Sequence, residues 1–102
     1  MDRIATFREI LEQDPNNAFG RYGLAMEYAA QGDNDTALTE FSETIARSPD
    51  YVPAYQMSAQ TLLKAGRTSE AIERLTAGLS AALRTGNAHA QSEMQGMLDD
   101  IS

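Results

Sequence analysis

Cysteine is absent from this sequence, and its absence excludes disulfide bonds, thiolate metal sites and cysteine nucleophiles. Histidine and lysine are almost absent as well, since His89 and Lys64 are the single residues of each type. Eight basic residues stand against fifteen acidic ones, which gives a formal net charge of −7. A chain without a basic patch lacks the charge that nucleic acids and anionic membrane surfaces attract. We therefore expect neither a nucleic-acid nor a membrane partner.

Long apolar runs are also missing. No stretch approaches the ~20 apolar residues that a membrane span requires, and acidic side chains interrupt the first residues, where a secretory signal has its apolar segment. The composition, with 42% hydrophobic and 23% charged residues, is nevertheless too apolar for a disordered chain. We expect one soluble, cytoplasmic domain over residues 1–102.

The residues that are present repeat with a period of 34. At this offset Gly32 corresponds to Gly66, and Ala37 corresponds to Ala71. Apolar residues also fall on apolar residues at three further pairs: Tyr28 with Leu62, Phe41 with Leu75, and Ile45 with Leu79. A fixed period of about 20–50 residues is typical of stacked repeats, each of which is one supersecondary unit.

Each repeat reads as two amphipathic helices, because its apolar residues recur at spacings of three and four. The spacing predicts helices over 18–31 and 34–47, and a second pair that ends near residue 84. Gly32, Gly66 and Gly86 stand where a left-handed residue ends a helix. The candidate caps at the helix starts are Asn16 or Asn17, Asp33, Asp50, Thr68 and Asn87. Pro53 suits a first helical turn, where its missing N–H costs nothing.

The two ends of the chain read as half-repeats. Residues 1–14 match the second helix of a repeat, and residues 87–101 match the first helix of another. The intervening residues give one repeat over 18–51 and one over 52–85. The sequence therefore predicts six helices and no strand.

Small and large residues follow one template in both repeats. The first reads Arg21-x2-Leu24-Ala25-x2-Tyr28, then Ala37-x3-Phe41, then Pro49. The second reads Tyr55-x2-Ser58-Ala59-x2-Leu62, then Ala71-x3-Leu75, with Leu83 at the proline position. This pattern resembles the tetratricopeptide repeat, although Arg21 and Ser58 depart from its bulky aromatic residue and its leucine. The resemblance implies an all-α fold, an α–α superhelix of antiparallel helix pairs with about two and a half units.

The resemblance also implies a function, since such arrays usually bind a peptide or a helix of another protein in a concave groove. The groove residues that it implies here are Phe19, Tyr22, Met26, Gln56, Gln60, Leu63, Lys64, Gln91 and Met94. Some members of the family grip a C-terminal carboxylate with lysines, arginines and asparagines at such positions. Lys64 is the single cation among these positions here, so that clamp is absent. For Met97 and Leu98, packing of the last helix against its neighbour is the favoured alternative to a place in the groove. The other function considered is a structural module that self-associates, with a monomer favoured and a homodimer as the alternative.

The sequence gives only weak indications of a catalytic, metal or cofactor site. His89 and Glu93 stand one helical turn apart and would supply two metal ligands, with no third one suggested. Asp33, Asn34 and Asp35 begin like a calcium loop, but the later ligands are missing, so a helix cap is the better interpretation. No serine is paired with His89 by a motif, and no glycine-rich phosphate loop occurs. We expect no enzyme activity, no cofactor and no bound metal.

Overall fold

The computed structural model describes residues 2–101, and within this range the regular elements are helices, with no strand. The prediction of six helices is confirmed. Their bounds are α1 Arg3–Gln13, α2 Ala18–Ala30, α3 Asn34–Arg47, α4 Val52–Lys64, α5 Thr68–Arg84 and α6 Ala88–Ile101.

Three of the predicted caps are confirmed by hydrogen bonds. The side chain of Asn17 accepts from the backbone N–H of Gly20 at 2.8 Å, and Asp33 accepts from that of Thr36 at 3.2 Å. Asn87 does the same for α6. These bonds satisfy N–H groups that have no partner inside the first turn of a helix. The predicted helix-ending glycines are also confirmed, because Gly32, Gly66 and Gly86 have φ angles of 82°, 75° and 68°.

The two remaining caps are wrong. Tyr51, not Asp50, stands at the N-cap position of α4, and it makes no side-chain cap hydrogen bond. The carboxylate of Asp50 instead accepts a hydrogen bond of 2.9 Å from Arg84. Pro53 lies in the first turn of α4, where its fixed φ favours the helix without such a cap. Thr68 is the first residue inside α5, so it cannot cap that helix.

The helices form two layers. Cα atoms of α2 lie within 8 Å of α4, and those of α4 lie within 8 Å of α6, whereas within residues 2–101 none of α3 lies within 8 Å of α5. Consequently α2, α4 and α6 converge on an inner side, and α1, α3 and α5 diverge on an outer side. This difference makes the helical superhelix concave along its inner layer.

Alanines occupy the places where paired helices meet. Ala25 of α2 and Ala37 of α3 have no exposed surface and belong to one core cluster with Phe41. Ala71 of α5 is equally buried, against Leu38 and Leu62. A larger side chain at such a place would separate the helices, since protein interiors are close-packed. The small residues of the sequence template therefore lie in the core, as predicted.

Candidate functional site

The inner side of α2 carries apolar side chains that the core does not cover. Phe19 is 64% exposed, Ala30 is exposed, and Met26 between them is half-buried. The spacings of seven and four place all three on one face of the helix. The Phe19 ring packs edge-on against Phe7 of α1, with centroids 6.4 Å apart. This face is an apolar strip on the inner layer.

Tyr22 lies beside this strip but belongs partly to the core. Its ring centroid is 6.0 Å from that of buried Phe41 and 5.4 Å from that of Tyr51. Burial, and secondarily the neighbouring Tyr51, raise the pKa of Tyr22 above its usual value. Burial also raises the pKa of Tyr51. Tyr22 can offer a partner only the part of its ring that these neighbours leave free.

Between α2 and α4 the inner layer contains a pocket of about 170 Å³. It brings together three of the predicted groove residues, Met26, Gln60 and Lys64. The other lining residues are Ala29, Ala30, Asn34, Met57 and Thr61. We refer to this cavity as the α2–α4 pocket. Met57 is not among the predicted groove residues, since the repeat register assigns that position to the neighbouring Gln56.

Gln56 is already engaged by α6. Its side-chain amide donates a hydrogen bond of 3.0 Å to a carboxylate oxygen of Glu93. His89, one turn before Glu93, contacts the same carboxylate. The pair considered as metal ligands is thus part of a polar link between α4 and α6. In the part of the chain from 2 to 101, no three His, Cys, Asp or Glu side chains come together as a metal site.

The predicted groove is wrong at Met94. This side chain has no exposed surface and lies in the core with Tyr55 and Leu75, so a partner cannot reach it. Gln91 is exposed, but it lines a cleft made by α6 alone and lies outside the α2–α4 pocket. Met94 is buried because α6 has a single apolar stripe, which packs against the core. Its members are Ala90, Met94, Met97, Leu98 and Ile101.

This burial separates Met94 from the inner surface, because removing its apolar side chain from water is favourable. The packing interpretation of Met97 and Leu98 is confirmed, since both pack against the buried cluster. Leu63, also predicted for the groove, is half-buried against the cluster of Leu38, Leu62 and Ala71. The candidate site is consequently formed by α2 and α4, with α6 as a polar edge.

None of the helices in the described range combines the length and the apolar character that crossing a bilayer requires.

Comparison with known proteins agrees with this architecture. A family model described as tetratricopeptide repeat matches residues 28–92, and a second model with that description matches residues 6–39. Among curated proteins, mouse DnaJ homolog subfamily C member 3 is 30% identical over 70 residues. The aligned region is 69% of this chain but 14% of the mouse protein.

Solved structures give the same agreement. A tetratricopeptide repeat domain protein from Salinibacter ruber has a TM-score of 0.82 and 30% identity, covering 87% of this chain and 90% of that one. The TPR2B domain of yeast Sti1, in complex with pHsp70, has a TM-score of 0.87 and 20% identity over 93% of this chain and 76% of its own. The Yersinia enterocolitica type III secretion translocator chaperone SycD has a TM-score of 0.88 and 19% identity, with coverages of 96% and 74%. At these lower identities the last two share the fold.

Proposed function

The chain belongs to the tetratricopeptide-repeat family, and we propose that it is a non-catalytic adapter that binds a peptide or helix of another protein. Repeats of this family generally mediate protein–protein interaction. The proposed site is the inner surface of α2 and α4, made of the apolar strip Phe19, Met26 and Ala30 and the adjoining α2–α4 pocket. In this proposal residues 18–51 and 52–85 are its two full repeats.

The observation that carries the proposal is the exposure of Phe19. A phenylalanine that is 64% exposed gains little from folding. Its ring continues the strip of α2 and is held in place by Phe7, so it is presented as an ordered apolar surface. Aromatic anchors of this kind supply much of the energy of protein interfaces. A short peptide bound there should reach about micromolar affinity, which corresponds to roughly −8 kcal/mol.

The neighbours support this kind of function without identifying the partner. The yeast Sti1 domain, which shares the fold, has been solved as a complex with pHsp70. Of the predicted groove residues, Phe19, Met26, Gln60 and Lys64 remain available on the inner surface. Few of these groups are charged, so added salt should weaken binding little. We propose a cytoplasmic location and no cofactor for this adapter.

The test is selection from a displayed library of random twelve-residue peptides, followed by calorimetry with the selected sequences. Changing Phe19→Ser together with Met26→Gln removes the apolar strip and should weaken binding at least about tenfold. The matched control is Leu83→Ser, because Leu83 is 70% exposed but lies on α5 in the outer layer. Unchanged affinity in the double variant, with an unchanged circular-dichroism spectrum, would reject the inner surface as the binding site.

Self-association is the second candidate function, and an exposed face of α6 with small side chains favours it. Ala88, Ser92 and Gly96 recur every four residues on this face, and all three are exposed. Such small side chains would let another helix approach closely. Sedimentation equilibrium at several concentrations separates the candidates, because a monomer at all of them contradicts self-association. A dimer that Gly96→Arg dissociates, and that still binds the selected peptides, would instead support both.

A further inference from the structure

Helix α1 is attached to the rest of the protein through one neighbour. Within residues 2–101 its Cα atoms come within 8 Å of α2 and of no other helix. None of the residues of α1 is buried, whereas each of the helices α2 to α6 contains buried residues. An isolated helix of eleven residues is marginal in water. Helix α1 is therefore stabilised by its packing on α2, and it is the helix that can leave most easily.

The surface of α2 that holds α1 has two gaps, and glycines provide them. A Cβ atom on Gly20 would lie 2.9 Å from Cγ2 of Ile10, and one on Gly23 would overlap the ring of Phe7. These two side chains of α1 thus fill space that larger residues on α2 would occupy. Gly20, Gly23 and Glu27 recur at spacings of three and four, so they share one face of α2. We refer to this face as the α1 seat.

Polar contacts at the rim of the α1 seat match the side chains of α1. Arg3, which is 76% exposed, forms an ion pair of 3.3 Å with Glu27. Arg8 donates a hydrogen bond to the hydroxyl of Tyr28, and its guanidinium carbon lies 5.9 Å from the centroid of that ring. Exposed ion pairs contribute little to stability. These contacts consequently fix the register of α1 on its seat more than they hold the helix in place.

The connection between α1 and α2 is short, and its bonds to the rest of the chain are exposed. It comprises residues 14–17. The carbonyl of Pro15 accepts hydrogen bonds from Arg21 and Arg47, at 3.3 Å each, and the side chain of Asn16 accepts one of 2.9 Å from Arg47. Water can replace exposed bonds of this kind when the turn opens. Four fully extended residues span roughly 14 Å, which allows α1 to reach a second copy alongside.

We infer that α1 exchanges between two copies of this chain, so that the α1 of each copy packs in the α1 seat of the other. The occupant is a second copy because its α1 carries the phenylalanine, the isoleucine and the arginines that match this seat. The exchanged dimer regains the contacts between α1 and α2. Exchange therefore costs only the bonds of the connection and the association of two chains.

This inference goes beyond the adapter function and does not rest on it. It also locates self-association at the α1 seat, at the opposite end of the helix order from the exposed face of α6. Each copy in such a dimer retains its own α2 and α4, so the dimer carries two inner surfaces.

The first test mixes two charge-reversal variants, Arg3→Glu and Glu27→Arg. Each variant alone places like charges across its own α1 seat, whereas an exchanged heterodimer pairs opposite charges at both seats. The two variants, one of them isotope-labelled, are refolded together at millimolar concentration and counted by native mass spectrometry. The ratio of heterodimers to homodimers should exceed the statistical ratio by at least about threefold.

The control for this test is Arg84→Glu mixed with Asp50→Arg. This exposed ion pair joins α5 to the turn before α4 and does not involve the α1 seat, so the mixture should give the statistical ratio. Equal ratios in the two mixtures would overturn the inference. So would a native chain that remains monomeric after the same refolding.

The second test removes the α1 seat with Gly23→Ala, because the added Cβ meets the ring of Phe7. The dissociation constant of the dimer, measured by sedimentation equilibrium, should rise at least about tenfold. Gly96→Ala is the matched control, since a Cβ there has no neighbour within 4 Å, and it should leave the dimer unchanged.

The opposite result would locate the dimer elsewhere. A dimer that survives Gly23→Ala but dissociates in Gly96→Arg overturns the inference and assigns self-association to α6. If Gly23→Ala loses its helical circular-dichroism signal altogether, the mixed charge variants decide the question alone. Peptide binding is measured separately, so a failure of the adapter proposal leaves this inference intact.

Discussion

Met94 of α6 packs against Gly78 of α5, in space that a side chain on residue 78 would occupy. A Cβ atom at Gly78 would lie 2.6 Å from the sulfur of Met94 and 2.8 Å from the Cβ of Tyr55. The glycine thus lets α4, α5 and α6 meet around one buried methionine. The space at Gly78 accommodates the Met94 side chain, which lies in the core rather than in the groove.

Gly78→Ala should destabilise the protein. Overpacking costs about 1–3 kcal/mol, and the better helix propensity of alanine returns about 1 kcal/mol. We expect a net loss of roughly 1 kcal/mol in the free energy of unfolding, measured by urea denaturation. The matched control is Gly96→Ala on α6, where a new Cβ would have no neighbour within 4 Å. That change should stabilise by about 0.5–1 kcal/mol, and a stabilising Gly78→Ala would contradict the packing described.

Ala71→Leu should overpack the contact between α5 and its neighbours. Ala71 has no exposed surface, so three additional carbon atoms must displace Leu38 or Leu62. We expect a loss of about 1–3 kcal/mol, measured as a lower thermal midpoint. Ala77→Leu is the control, since Ala77 lies on the same helix but is exposed. Equal midpoints for the two variants would show that the second repeat is assigned in the wrong register.

Tyr22→Ala should lower stability as well as any binding. The ring packs against Phe41 and Tyr51, and truncating a half-buried aromatic side chain should cost roughly 1–3 kcal/mol, less than the 3–5 of a fully buried one. Tyr22→Phe keeps the ring and should cost well under about 1 kcal/mol. Chemical denaturation of the two variants checks this. If Tyr22→Ala is as stable as the native chain, the ring contributes nothing to the core.

Alkaline pH should titrate Tyr22 and Tyr51 late. Burial raises the pKa of both above the ordinary value of 10.0, so the folded state favours their neutral forms. The stability linked to these groups is fully present below pH 10.0 and is lost as the pH rises through the folded-state pKa values. NMR titration of the ring signals should show this delay, and Tyr22→Phe should remove one delayed signal. Ionisation of both rings at or below pH 10.0 would contradict their burial.

Much of the fold could be predicted from local patterns. The three helix-ending glycines and the capping side chains of Asn17, Asp33 and Asn87 act within a few residues of their position. Backbone sterics and helix-terminal hydrogen bonds need no distant partner. For this reason the six helices follow from the sequence.

The candidate site was less predictable, because its residues depend on distant contacts. Asp50 could serve as a local cap, but Arg84, 34 residues later, takes its carboxylate. Gln56 could be free in the groove, but Glu93 of α6 accepts its amide hydrogen. When a side chain could bond to either a local or a distant partner, the packing of the helices determines which partner it contacts.

The sequence by itself determined the helices, their ends and the pairing of small with large residues, since these follow from periodicity and backbone conformation. Only the tertiary structure decided which side chains of α6 are buried. A helix with one apolar stripe turns until that stripe is buried, and here Gly78 provides the space for Met94. The burial of Met94 leaves the inner surface to α2 and α4, which line the α2–α4 pocket.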